Sequence, residues 1–129
     1  MGGYGALRLG AKHSHIFKGF AGLSSITDFP QLADFYEPGT FHRLTQQVIT
    51  QESVLEVLIR NRHTLSPFRF DCGTEDALFV ANQALHDALK ENGIGHTFEP
   101  RPGDHAWSYW EQHIGTTLEF FNQLMQRTH

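Results

Sequence analysis

The apolar positions of this chain fall into seven successive stretches, and each stretch marks an element. Tyr4, Ala6, Leu7, Leu9 and Ala11 place small and apolar side chains on a short, close-packing helix over residues 3–13. "FKGFAGLSS" (Phe17–Ser25) follows as a brief apolar, glycine-rich strand ending in polar residues. Residues 26–65 are broken by Pro30, Pro38 and Gly39, after which "TQESVLEVLIRNRH" carries Val54, Leu55, Leu58 and Ile59 at helical spacing. "SPFRFDCGTED" starts with Pro67, alternates through Phe68 and Phe70 and stops at Gly73, which predicts a strand and then a loop. Over residues 75–92, Leu78, Ala81, Leu85, Ala88 and Leu89 share one helical face, and Gly93 supplies the stop. His96–Arg101 reads as a short strand closed by Pro102-Gly103. Trp107, Trp110, Ile114, Leu118, Phe121 and Leu124 then recur at steps of three and four, giving a long terminal helix with one apolar side.

The order is helix, strand, irregular helical insert, strand, helix, strand, helix. Strands that alternate with helices demand right-handed crossovers and a parallel sheet, so the fold class is α/β. At 129 residues and 40% hydrophobic content, the chain is long enough for one modest domain with a core. A net charge of −4 with no basic cluster argues against nucleic acid or an anionic membrane as partner. Cys72 is the only cysteine, so there is no disulfide framework and no multi-cysteine metal site; that usage suits a reducing, cytoplasmic compartment. No apolar run approaches membrane-spanning length, and these residues contain no signal peptide.

Chemistry in an open parallel sheet collects at the carboxyl ends of the strands. Three turns are expected there: at Met1, at Gly73–Asp76 and at Pro102–His105. The second brings an acid and the third a histidine, which together make two-thirds of a nucleophilic triad. On spacing alone each has a plainer role. Asp76 fits an acid in the first turn of the 75–92 helix, where the dipole favours it. Glu75 and Asp71 compete with it, although Asp71 alternates with Phe70 and is expected towards solvent. His105 fits a helix-entry residue behind Asp104 as N-cap. His13 and His15 read as a surface helix end, the remaining histidines lack ligand spacing, and Cys72 reads as core packing. No metal or cofactor site is expected.

Three motifs in order carry a resemblance across essentially the whole chain. "MGGYGALRLGAKHSHIFKGFAGLSS" resembles the stretch after the nucleophile in the esterase branch of the α/β-hydrolases, which includes esterase D-like, feruloyl-esterase-like and enterochelin-esterase-like enzymes. The usual elbow there is Gly-x-Ser-Met-Gly-Gly, so Met1, Gly2 and Gly3 match the positions after the serine. "FRFDCGTEDAL" resembles the branch's strand and Gly-x-x-Asp turn, and "PGDHAWSYW" its Gly-x-His-x-Trp-x-x-Trp ending. The resemblance implies a serine esterase or thioesterase acting on a small-molecule substrate without a cofactor. Asp76 and His105 would be its catalytic acid and base, the Met1 N–H an oxyanion donor of ~3 kcal/mol, and Trp107 and Trp110 residues that border substrate, brace His105 or pack the terminal helix.

The chain also departs from that pattern. No Gly-x-Ser-x-Gly occurs in it, so residues 1–129 are expected to be the C-terminal half of an α/β-hydrolase domain, inactive alone, with residues 26–65 as a cap-like insert rich in aromatic side chains. The alternative is a non-catalytic polypeptide that pairs with another chain or with itself through an exposed Phe17–Ser25 edge.

Overall fold

The computed structural model describes residues 2–25, 27 and 53–126. Met1 and most of the expected cap, residues 28–52, lie outside the described residues. The elements are α1 (Gly2–Lys12), β1 (Phe20–Leu23), α2 (Val54–Arg60), β2 (Phe68–Gly73), α3 (Phe79–Glu91), β3 (Thr97–Arg101) and α4 (Trp107–Gln126). The strands form one parallel sheet in the order β1-β2-β3, pairing Phe20 with Phe68 and Phe70 with Phe98.

Helices α1, α2 and α3 cover one face. Tyr4, Leu7 and Ala11 of α1, Val54, Val57 and Leu58 of α2, and Leu85 and Leu89 of α3 meet Phe20, Phe68, Phe70 and Cys72 of the strands in a single core. The paired strand aromatics meet across the sheet: Phe20 and Phe68 stack with ring centroids 4.9 Å apart, and Phe70 and Phe98 pack tilted at 4.9 Å. α2 starts at the first residue of its apolar pattern because Ser53 caps it: the Ser53 hydroxyl accepts from the Glu56 N–H at 3.1 Å.

One boundary differs from expectation for a local reason. The third helix begins at Phe79 and not near residue 75, because residues 74–78 turn on themselves first. Asp76 N–H donates to the Gly73 carbonyl, and Asp76 Oδ1 accepts the Leu78 N–H at 2.9 Å. Asp76 thus stands ahead of α3, whose first turn holds no acid, so a helix-dipole role is not its place here.

The opposite face is ionic where an apolar contact was expected. Asp71 is fully buried, as is Arg69, so the inference from alternation that Asp71 faces solvent is wrong. β2 is the central strand and is covered on both sides, so its polar positions point into a second interior. Arg69 reaches Asp71 at 3.4 Å, Glu99 at 3.1 Å and the Thr117 hydroxyl; Arg101 pairs with Glu99 and approaches His113 and Thr116. The buried residues of α4 are correspondingly Tyr109, His113, Thr117 and Leu124. Of its predicted apolar side, Trp107, Ile114 and Leu118 are exposed, Trp110 and Phe121 are half-buried and only Leu124 is buried. An apolar helix face against this layer would strand several buried charges, at a cost of kcal/mol each. No described helix is long and apolar enough to cross a membrane.

Candidate active site

β2 and β3 end side by side, and their pairing continues into the loops that follow. Thr74 N–H donates to the Arg101 carbonyl at 2.8 Å, and Glu75 N–H to the Gly103 carbonyl at 2.9 Å. Gly73 is required by this approach, since a methyl group on it would overlap the Gly103 carbonyl. Gly103 has φ +134°, a conformation that side chains rarely adopt, and its Cα rests against the Tyr109 ring. The two turns therefore lie in contact.

That contact brings Asp76 and His105 together. His105 Nδ1 lies 2.9 Å from Asp76 Oδ2, with the carboxylate 1% exposed and the imidazole 37% exposed. Because the carboxylate accepts, Nδ1 carries the hydrogen, and in the neutral ring Nε2 keeps a lone pair able to take a proton from a nucleophile. Asp76 is itself fixed by the Leu78 N–H on its other oxygen.

Trp110 packs edge-to-face on His105, with ring centroids 4.9 Å apart. Its indole N–H donates to the Ser24 hydroxyl at 3.3 Å, and Trp107 stands perpendicular to it at 5.2 Å. Ser24, at the carboxyl end of β1, has φ +50°, an uncommon backbone state for a residue with a side chain. Sequence reasoning missed Ser24; its place directly after a predicted strand was the available signal. Leu23, Trp107, Trp110, Glu111 and Ile114 line an open apolar cleft of about 410 Å³ beside this group. A larger cavity of about 660 Å³ opens at the amino ends of β2 and β3, past Pro67, Phe68 and Thr97, away from the Asp76–His105 pair.

The other candidates fall elsewhere. Glu75 does not reach the histidine; its carboxylate accepts the Gly103 N–H at 2.6 Å and the Thr74 hydroxyl at 2.7 Å, and these donors hold it below the usual carboxylate range. Burial pushes the Cys72 thiol up to about 12, so it is no nucleophile. His86 and His96, ten positions apart, are hydrogen-bonded at 2.7 Å; His96 Nδ1 donates to the Ile94 carbonyl, so its Nε2 accepts from His86. Among the described residues no three His, Cys, Asp or Glu side chains converge as a metal site.

The model of the esterase family matches residues 1–121. An acetyl esterase of Caldicellulosiruptor saccharolyticus is 27% identical over 139 residues, taking in 96% of this chain and 52% of its own length. An S-formylglutathione hydrolase from Staphylococcus aureus superposes with a TM-score of 0.80 at 24% identity, covering 93% of this chain and 50% of that one. A ferulic acid esterase gives a TM-score of 0.78 at 23% identity, covering 96% and 49%. The chain spans about half the length of these relatives. The architecture is that of an α/β-hydrolase.

Proposed function

We propose an activity from a fact of kinship: this chain belongs to the esterase family whose model matches residues 1–121, and its Asp76 and His105 are the acid and base of a serine ester hydrolase. The observation that carries the reading is the 2.9 Å contact between the His105 imidazole and a buried carboxylate at adjoining strand ends.

In this reading His105 Nε2 takes the proton of a serine hydroxyl as the serine oxygen attacks the ester or thioester carbonyl. The tetrahedral intermediate collapses, the carbonyl–leaving-group bond breaks, and His105 returns the proton to the departing alcohol or thiol. Water, deprotonated by the same imidazole, then releases the acid from the acyl-serine. Asp76 holds the ring tautomer and offsets the imidazolium charge without taking the proton. Trp107 and Trp110 border the substrate through the apolar cleft they share with Leu23 and Ile114. The substrate is a small-molecule ester or thioester, the class named by the acetyl esterase, S-formylglutathione hydrolase and ferulic acid esterase relatives.

The 129 residues contain no Gly-x-Ser-x-Gly, and the resemblance of Met1-Gly2-Gly3 to the family elbow supports a reading with the serine directly ahead of Met1 and the Met1 N–H as oxyanion donor. Hydrolysis of p-nitrophenyl acetate tests this. The 129-residue chain should not exceed an Asp76→Ala control, while the polypeptide extended by its in-frame upstream codons should hydrolyse the ester. In that longer form His105→Ala should lower kcat/KM by roughly 10⁴-fold. Turnover by the 129-residue chain that depends on His105, or upstream codons without a Gly-x-Ser, would overturn the assignment.

One observation favours a second reading, in which the chain pairs with itself. β1 lies at the edge of the described sheet, and Trp107, Ile114 and Leu118 form an exposed apolar stripe on α4. Light scattering after sizing chromatography decides it: a monodisperse monomer excludes self-pairing.

A further inference from the structure

We propose that Glu75 is a positioning residue, stapling the turn that carries Asp76 to the turn that carries His105. The two ends of the staple are reciprocal. The backbone N–H of Glu75 donates to the Gly103 carbonyl at 2.9 Å, and the Glu75 carboxylate accepts the Gly103 N–H at 2.6 Å. One residue of β3's loop is thus held through both its polar backbone groups by one residue of β2's loop. The Thr74 hydroxyl, 2.7 Å away, orients the carboxylate for this contact.

The staple's leverage comes from its location. Glu75 is adjacent to Asp76, and Gly103 is two residues before His105. Asp76 needs little help, because it is buried and bonded to its own turn through the Leu78 N–H. His105 is the more exposed partner, carried on the short loop between β3 and α4. From beneath, the Tyr109 ring already closes the space under Gly103, and Tyr109 is anchored by its hydroxyl to Asp71 at 3.3 Å. From above, the Glu75 carboxylate supplies a charge-assisted bond, stronger than a neutral one. Removing it leaves the Gly103 N–H without its acceptor, and the turn held there by the Gly103 carbonyl bond and the Tyr109 ring.

The inference rests on reading Asp76 and His105 as the working pair, although the staple's own bonds are independent of that reading. It is tested by nuclear magnetic resonance on the ¹⁵N-labelled chain, following the Gly103 amide and the His105 Nδ1 proton. In Glu75→Ala the Gly103 amide should exchange ~tenfold faster, and the His105 Nδ1 proton should broaden into solvent exchange. Glu75→Gln, which keeps an accepting oxygen, should recover most of both signals. Asp76→Asn should abolish the Nδ1 signal while leaving the Gly103 amide protected. If Glu75→Ala leaves both signals unchanged, the staple is refuted. If Asp76→Asn leaves the Nδ1 proton unchanged, the pairing itself fails, and with it the hydrolase reading rather than the staple.

Discussion

His105 donates from Nδ1 to Asp76 Oδ2 across a gap of 29 positions in the chain, and Asp76 spends its other oxygen on the Leu78 N–H. The two acceptor atoms thus have separate tasks, one local and one long-range. In Asp76→Asn the side-chain carbonyl can still take the Leu78 N–H, but the amide then presents a donor to the imidazole. The ring should respond by moving its hydrogen to Nε2, visible as an exchange of the two imidazole ¹⁵N shifts. Exchange of a charge-assisted bond for a neutral one should lower unfolding free energy by ~1 kcal/mol.

Trp110 contributes an edge-to-face contact to His105 and a hydrogen bond to Ser24. Trp110→Leu removes both while keeping an apolar side chain. The His105 ring-proton shifts should change as the indole ring current disappears, and stability should fall by ~1–2 kcal/mol in denaturant unfolding.

Gly73 has a backbone carbonyl where its side chain would grow. Backbone cannot rotate aside as a flexible side chain can, so Gly73→Ala has to push the Gly103 turn away from β2. The expected cost is ~1–3 kcal/mol, measured as a lowered denaturation midpoint. The His105 Nδ1 proton signal should weaken in the same protein.

Asp71 makes stability depend on pH. Burial raises its carboxyl to about 6, against the opposing pull of Arg69 and the Tyr109 hydroxyl. The folded chain therefore holds this proton more tightly than the unfolded chain. Asp71's contribution is greatest below pH 4, falls as pH rises to about 6, and is level above that, a span on the order of 2–3 kcal/mol. His113 works in the opposite direction, because burial and then Arg101 lower its pKa. The check is consequently a difference: unfolding free energy of the native chain minus that of Asp71→Asn should decline between pH 4 and 6. A flat difference would contradict the raised carboxyl.

The order of elements could be read from periodicity because each strand and helix keeps its own repeat, and Gly73 ends β2 where the apolar alternation ends. The Asp76–His105 pair was legible through its turns and motifs. The buried ionic layer was not. Alternation reports which side a residue points to, but not whether that side is covered, and Arg69 and Asp71 find Glu99 and Arg101 about thirty residues later. Nor does an apolar stripe say which way a helix turns when its polar side has buried partners waiting, as Thr117 does for Arg69. The late start of α3 depended on one side-chain oxygen, that of Asp76, capturing a backbone N–H before the helix could.

An oily contact tolerates sliding, whereas hydrogen bonds and ion pairs do not. Tyr109, His113 and Thr117 sit one helical turn apart, each facing a different polar group on the sheet, like teeth in a rack. Moving α4 along its axis by a single turn would mismatch every tooth at once. The last helix is therefore indexed to the strands at one setting, and the loop at its head inherits that setting.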